Sequence, residues 1–122
     1  MSYQVLVVAD GVQTRLAITE ALHKCHCVVH VAEGLSDALI RAKDIQPRVV
    51  FISLKCMAPS AWELVEQFRD GADPESRKLV AVAPSDYDAM AIREAGFHHF
   101  LAEPIDLRAL QLVLYGNMPA VA

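Results

Sequence analysis

The side chains able to ligate, attack or exchange protons are few, and they fall into separate stretches. Cys25-His26-Cys27, with His23 and His30 close by, offers thiolate and imidazole donors of the kind zinc prefers. The plainer reading is a helix end followed by a strand with one buried thiol and an exposed, oxidisable Cys25. The run lacks a second ligand pair, and Cys56 lies too far along the chain to supply one, so no metal site is expected there. Asp10 is an oxygen donor suited to a hard divalent cation, but alone it is a weak candidate. Ser53 carries a hydroxyl that attacks only if a base sits beside it; otherwise it is a small polar residue ending a strand. His98-His99 reads as two neighbours pointing to opposite sides of a strand. Glu103, just before Pro104, adds one more carboxylate.

The elements that must position these groups follow from hydrophobic patterning. Gln4 to Ala9 is an unbroken aliphatic run, as expected of a strand buried on both faces of a parallel sheet. Asp10-Gly11 breaks it, and a helix is predicted from Val12 to about Leu22. Cys27 to Val31 is a second strand, and Ser36 is expected to cap a helix through about Ala42. Gln46-Pro47 ends that helix before the third and most apolar strand, Val49 to Leu54. Pro59-Ser60 precedes a helix holding Trp62, Leu64, Val65 and Phe68, with Ser60 and Glu63 at capping-box spacing. After a loop at Gly71 to Pro74 comes a fourth strand, Leu79 to Ala83. Pro84-Ser85-Asp86 is expected to open a helix to Ala95, closed by Gly96. His99 to Ala102 forms a short fifth strand, Asp106 to about Tyr115 a last helix, and residues 116–122 a frayed tail.

Alternation of strand and helix predicts an α/β fold, a doubly wound (βα)5 unit with a five-stranded parallel sheet covered on both faces. The 122 residues suit one domain, taken as 1–122. Function in such folds sits at the C-terminal strand ends. These are Ala9-Asp10, Ala32-Glu33, Ser53-Leu54-Lys55, Ala83-Pro84-Ser85 and Ala102-Glu103-Pro104. The loop after the first strand has one glycine and no phosphate-binding lysine, which argues against a nucleotide fingerprint. Thr14 is the only hydroxyl there for a flavin phosphate. A small flavodoxin-like enzyme or flavin binder is the weaker alternative, and no cofactor is expected.

Val5-Leu6-Val7-Val8-Ala9-Asp10, Pro47 to Leu54, and Ala95 to Asp106 with its Glu103-Pro104-Ile105-Asp106 close resemble, in order and spacing, the receiver domain of two-component response regulators. The resemblance spans nearly the whole chain and implies the flavodoxin-like strand order 2-1-3-4-5. Receivers hold Mg²⁺ on acidic side chains, accept a phosphoryl group on aspartate, and neutralise it with a lysine and a hydroxyl. At the matching positions this chain carries Ala9 beside Asp10, Ser53 as phosphoacceptor, Pro84 (or Ser85 after a one-residue shift) as the hydroxyl, and Glu103 as the lysine. Met57 and Ala61 replace the usual proline and glycine after the acceptor. Phe100 keeps the switch aromatic. A phosphoryl group would meet Glu103 instead of a cation.

The resemblance therefore implies a degenerate pseudo-receiver. It is expected to be a non-enzymatic signalling module that acts through protein–protein interaction independently of aspartyl phosphorylation. An altered pocket that binds Mg²⁺ or a small ligand as a switch is the alternative. The family's partner face maps to Tyr87, Met90, Arg93, Phe100, Arg108 and Gln111. The implied partner is a sensor kinase, another regulator domain or a second copy. Trp62, one turn into its helix, is a further contact candidate beside the crevice. The chain is either a free-standing adaptor or part of something larger.

Composition sets the outer bounds. With 54% apolar and 21% charged residues, disorder is not expected. A net charge of −4 disfavours a nucleic-acid backbone as ligand. No segment reads as a signal peptide or membrane span, and three cysteines make no disulfide framework, so a cytoplasmic setting is expected.

Overall fold

Valine, isoleucine and leucine fill the strands because both sheet faces are covered. In the computed structural model, which describes residues 4–54, 60–71 and 78–115, β1 is Gln4–Val8, β2 Val28–Ala32, β3 Val49–Ser53, β4 Lys78–Pro84 and β5 His99–Glu103. The helices are α1 Val12–Lys24, α2 Leu35–Ile45, α3 Ser60–Gly71, α4 Ala89–Ala95 and α5 Leu107–Tyr115. All strand pairs are parallel, in the order β2-β1-β3-β4-β5. The doubly wound α/β expectation and its strand order hold.

Side chains alternate across the sheet and build two cores. Val5, Val7, Val49, Phe51, Val80, Val82 and Leu101 pack with Ile18 and Leu22 of α1 and Leu110, Val113 and Leu114 of α5. Leu6, Val8, Val50, Ile52, Leu79, Ala81 and Ala83 face α2, α3 and α4 through Ala38, Ala42, Leu64, Val65 and Ile92. Lys78 Nζ ties the strand layer to α5, donating to the Val113 carbonyl at 3.2 Å, where a cation complements the helix C-terminus. No described helix is long and apolar enough to cross a membrane.

Three local expectations are corrected. Pro84-Ser85-Asp86 does not open α4. Pro84 still pairs with Glu103 in the sheet, and the Tyr87 N–H donates to the Pro84 carbonyl at 3.0 Å, making a turn. The cap is Asp88, whose Oδ1 accepts from the Met90 and Ala91 N–H groups at 3.0 and 3.4 Å. Asp88→Ala is expected to cost about 1 kcal/mol by urea denaturation, with little compensation available in a helix this short. Helix α2 begins at Leu35 behind Gly34, not under a Ser36 cap, and it runs past Ala42 to Ile45 because Gln46 supplies the left-handed cap (φ 53°). Asp37 in its first turn accepts from the Glu33 N–H at 3.4 Å. Strand β2 starts at Val28, since His26 takes a left-handed turn (φ 60°) just before it.

Gly96 closes α4 as expected, at φ 114°. Gly71, expected to open a loop to Pro74, still belongs to α3; the rest of that expected loop, the expected tail at 116–122, the Ser60 side chain, Lys55, Cys56 and Met57 lie outside the described residues.

Candidate functional site

Parallel strands bring all five C-terminal ends to one edge of the sheet. Ala9, just past β1, is fully buried, and its N–H donates to the Ala32 carbonyl at 3.1 Å. The Ala9 carbonyl accepts a hydrogen bond from Arg15 Nη1 at 3.2 Å, and the same nitrogen lies 3.4 Å from Glu33 Oε1. A guanidinium thus bridges the ends of β1 and β2, with Asp10 exposed beside it. Sequence reasoning missed Arg15. The signal was a basic residue in the first turn of α1 together with an acid after β2, strands that the 2-1 order makes neighbours.

Ser53 ends β3 and is wholly buried; its Oγ has no hydrogen-bond partner among the described residues. Alternation puts it on the Phe51 face of the sheet, toward α1 and α5. Pro84 and Glu103 end β4 and β5 side by side and fall on that same face, two residues beyond Val82 and Leu101. Ser85 is exposed in the turn. One oxygen of Glu103, Oε1, is shielded from solvent and also lacks a partner among the described residues. Glu103 borders a cavity of about 260 Å³ whose other walls are Gln13, Thr14, Ala17 and Ile18 of α1 with Pro104 and Ile105.

The opposite face of β5 carries Phe100, half-buried against the core under α2, α3 and α4, as is Tyr87. Met90 and Arg93 on α4 and Arg108 and Gln111 on α5 are exposed on either side of the edge strand β5. Trp62 is partly exposed. It packs edge-on against Phe97, ring centroids 6.1 Å apart at 72°.

Cys25 is buried, against the expectation of an exposed thiol, because Tyr115 Oη reaches its carbonyl at 3.1 Å and α5 covers it. Cys27 is buried too, and burial pushes both thiols above their usual range. Among the described residues no three of His, Cys, Asp and Glu gather into a metal-binding group.

His98 extends the β4–β5 ladder with its side chain. Its N–H donates to the Leu79 carbonyl at 2.8 Å, and its Nδ1 accepts from the Leu79 N–H at 3.0 Å. That role requires neutral imidazole, and burial, then Lys78, lowers its pKa. The folded state therefore binds the proton later than the unfolded chain does. The resulting stability is complete above the ordinary imidazole pKa of about 6.5 and is lost as pH falls through the lowered folded value. Thermal melts from neutral to acidic pH are expected to show a drop in this window that His98→Leu makes shallower.

No protein-family profile matches the chain, and no curated protein sequence does. Solved structures do. The chemotaxis response regulator CheY4 of Vibrio cholerae matches at TM-score 0.81 and 17% identity, over 97% of this chain and 100% of that one. A CheY-like response regulator receiver domain from Methylobacillus flagellatus matches at TM-score 0.80 and 26% identity, with the same coverage. The fold is that of a receiver domain. A further receiver-fold match (TM-score 0.76, 22% identity, 90% and 84% coverage) comes from Saccharomyces cerevisiae. That structure holds the histidine phosphotransfer signalling protein Ypd1 with the receiver domain of its downstream response regulator Ssk1.

Proposed function

We propose that this chain is a pseudo-receiver: a protein-interaction module of a two-component-type system that works without aspartyl phosphorylation and without catalysis of its own. The observation that carries this reading is Ser53. At the position where a receiver would present its nucleophilic carboxylate, this chain has a wholly buried alcohol with no base or other partner among the described residues. An alcohol so placed neither loses its proton nor meets a phosphodonor. Arg15 supports the same reading, since a guanidinium held on the Ala9 carbonyl opposes a divalent cation at that strand end. Glu103, beside Pro84, would repel an incoming phosphoryl group.

The face around β5 is the proposed partner surface, with Met90, Arg93, Arg108 and Gln111 as contacts and Phe100 and Tyr87 as the half-buried layer beneath. Its partner is a sensor kinase, a phosphotransfer or regulator domain, or a second copy. The yeast complex supports a protein partner, being a receiver domain solved with one. Two free, buried thiols are compatible with a cytoplasmic setting. Incubation with acetyl phosphate and Mg²⁺, read by intact mass, tests the reading. The expected result is an unmodified chain; a phosphoryl adduct that is labile to hydroxylamine, as an acyl phosphate is, would contradict it.

A further inference from the structure

Among the described residues, the cavity between α1 and the β5–α5 connection has one charged wall. Glu103 supplies it, with an oxygen that no described residue neutralises. Gln13 adds a polar rim, while Ala17, Ile18 and Ile105 make the rest apolar. A carboxylate half-withdrawn from water against apolar walls is short of a counter-charge, and a cation on an apolar stem satisfies both parts of the lining. The volume, about 260 Å³, has room for roughly eight waters at about 30 Å³ each, so a group of four to six heavy atoms fits. A second hollow of about 300 Å³ shares Ala17, Pro104 and Ile105 and carries Glu20 and Lys24, charges of opposite sign, so the groove runs on along α1 while Glu103 is the uncompensated charge of the first hollow among the described residues.

We infer that this cavity binds a primary ammonium or guanidinium group on a short aliphatic stem, with Glu103 as its counter-ion. The group comes either from a free organic amine or from a lysine or arginine side chain of a partner. The inference goes beyond the proposed function: it uses the same Glu103, but needs neither a partner on the face around β5 nor the absence of phosphorylation.

The test is a two-dimensional amide NMR titration of the whole chain with butylammonium chloride at constant ionic strength. Butyrate and 1-butanol serve as controls for charge sign and stem. Saturable shifts at Ala17, Ile18 and Ile105 are expected with butylammonium and not with the controls. Glu103→Gln should abolish saturation while leaving the rest of the spectrum in place. Ala17→Phe, a change at an exposed helix position that fills the hollow, should abolish it as well. Tighter binding of N-acetyl-lysine methylamide than of butylammonium would support the inference with a protein side chain as the source; the reverse order would support it with a free amine. Absence of saturable shifts, equal shifts with butanol, or unchanged binding by Glu103→Gln would overturn it.

Discussion

Ser53→Asp is expected to lower folding stability by about 3 kcal/mol or more, whereas Ser53→Ala stays within about 0.5 kcal/mol of the parent or exceeds it. The two substitutions differ in size because of where the hydroxyl sits. Ser53 Oγ is wholly buried and makes no hydrogen bond among the described residues, so alanine removes a desolvated group that does nothing for the fold. Aspartate puts a charge in the same place. The described cation near these strand ends, Arg15, is already held by the Ala9 carbonyl and Glu33. Burial would raise the new carboxyl's pKa, so the folded state would take up the proton earlier than the unfolded chain. The defect is then smallest below about pH 4 and grows as pH rises through the raised value. Urea denaturation of both variants across pH checks this. A Ser53→Asp protein as stable as the parent at neutral pH, and modified by acetyl phosphate, would mean that the pocket retains receiver chemistry one substitution away.

Phe51→Ala should cost about 3–5 kcal/mol, a large fraction of the stability of an ordinary domain. Phe51 lies on the central strand, is fully buried, and fills the space between the sheet and the helices α1 and α5. The proposed contact residues behave differently. Met90 and Gln111 are exposed, so their alanine variants should stay within about 0.5 kcal/mol of the parent. Loss of partner binding in those variants with stability unchanged would place the interface around β5. A Met90→Ala defect comparable with that of Phe51→Ala would show that the face is structural.

Much of this fold was readable from the sequence because a parallel sheet covered on both sides leaves a plain mark. Val5 to Val8 and Val49 to Ile52 are apolar without interruption since neither face meets water. What escaped depends on contacts between distant residues or on rival local signals. Pro84-Ser85-Asp86 reads as a helix opening as well as Asp88 does, and the sheet decides by holding Pro84 opposite Glu103. Cys25 looked exposed because the group that covers it, Tyr115, lies 90 residues further on. Arg15 has no local signal for its role, because it is the strand order that puts Ala9 and Glu33 within its reach. Ser53, Pro84 and Glu103 could be found by resemblance, but not the burial of Ser53 or the cavity beside Glu103.

The most direct test of phosphorylation independence is an amide NMR titration with Mg²⁺ followed by beryllium fluoride, a phosphoryl mimic. Asp10, Ser53, Glu103 and Phe100 report on the pocket and its switch position. At millimolar Mg²⁺ no saturable shift is expected at these amides, and beryllium fluoride should add none. Saturable shifts at Asp10 and Ser53 that spread to Phe100 would contradict the account and make the chain a working receiver with an unusual pocket.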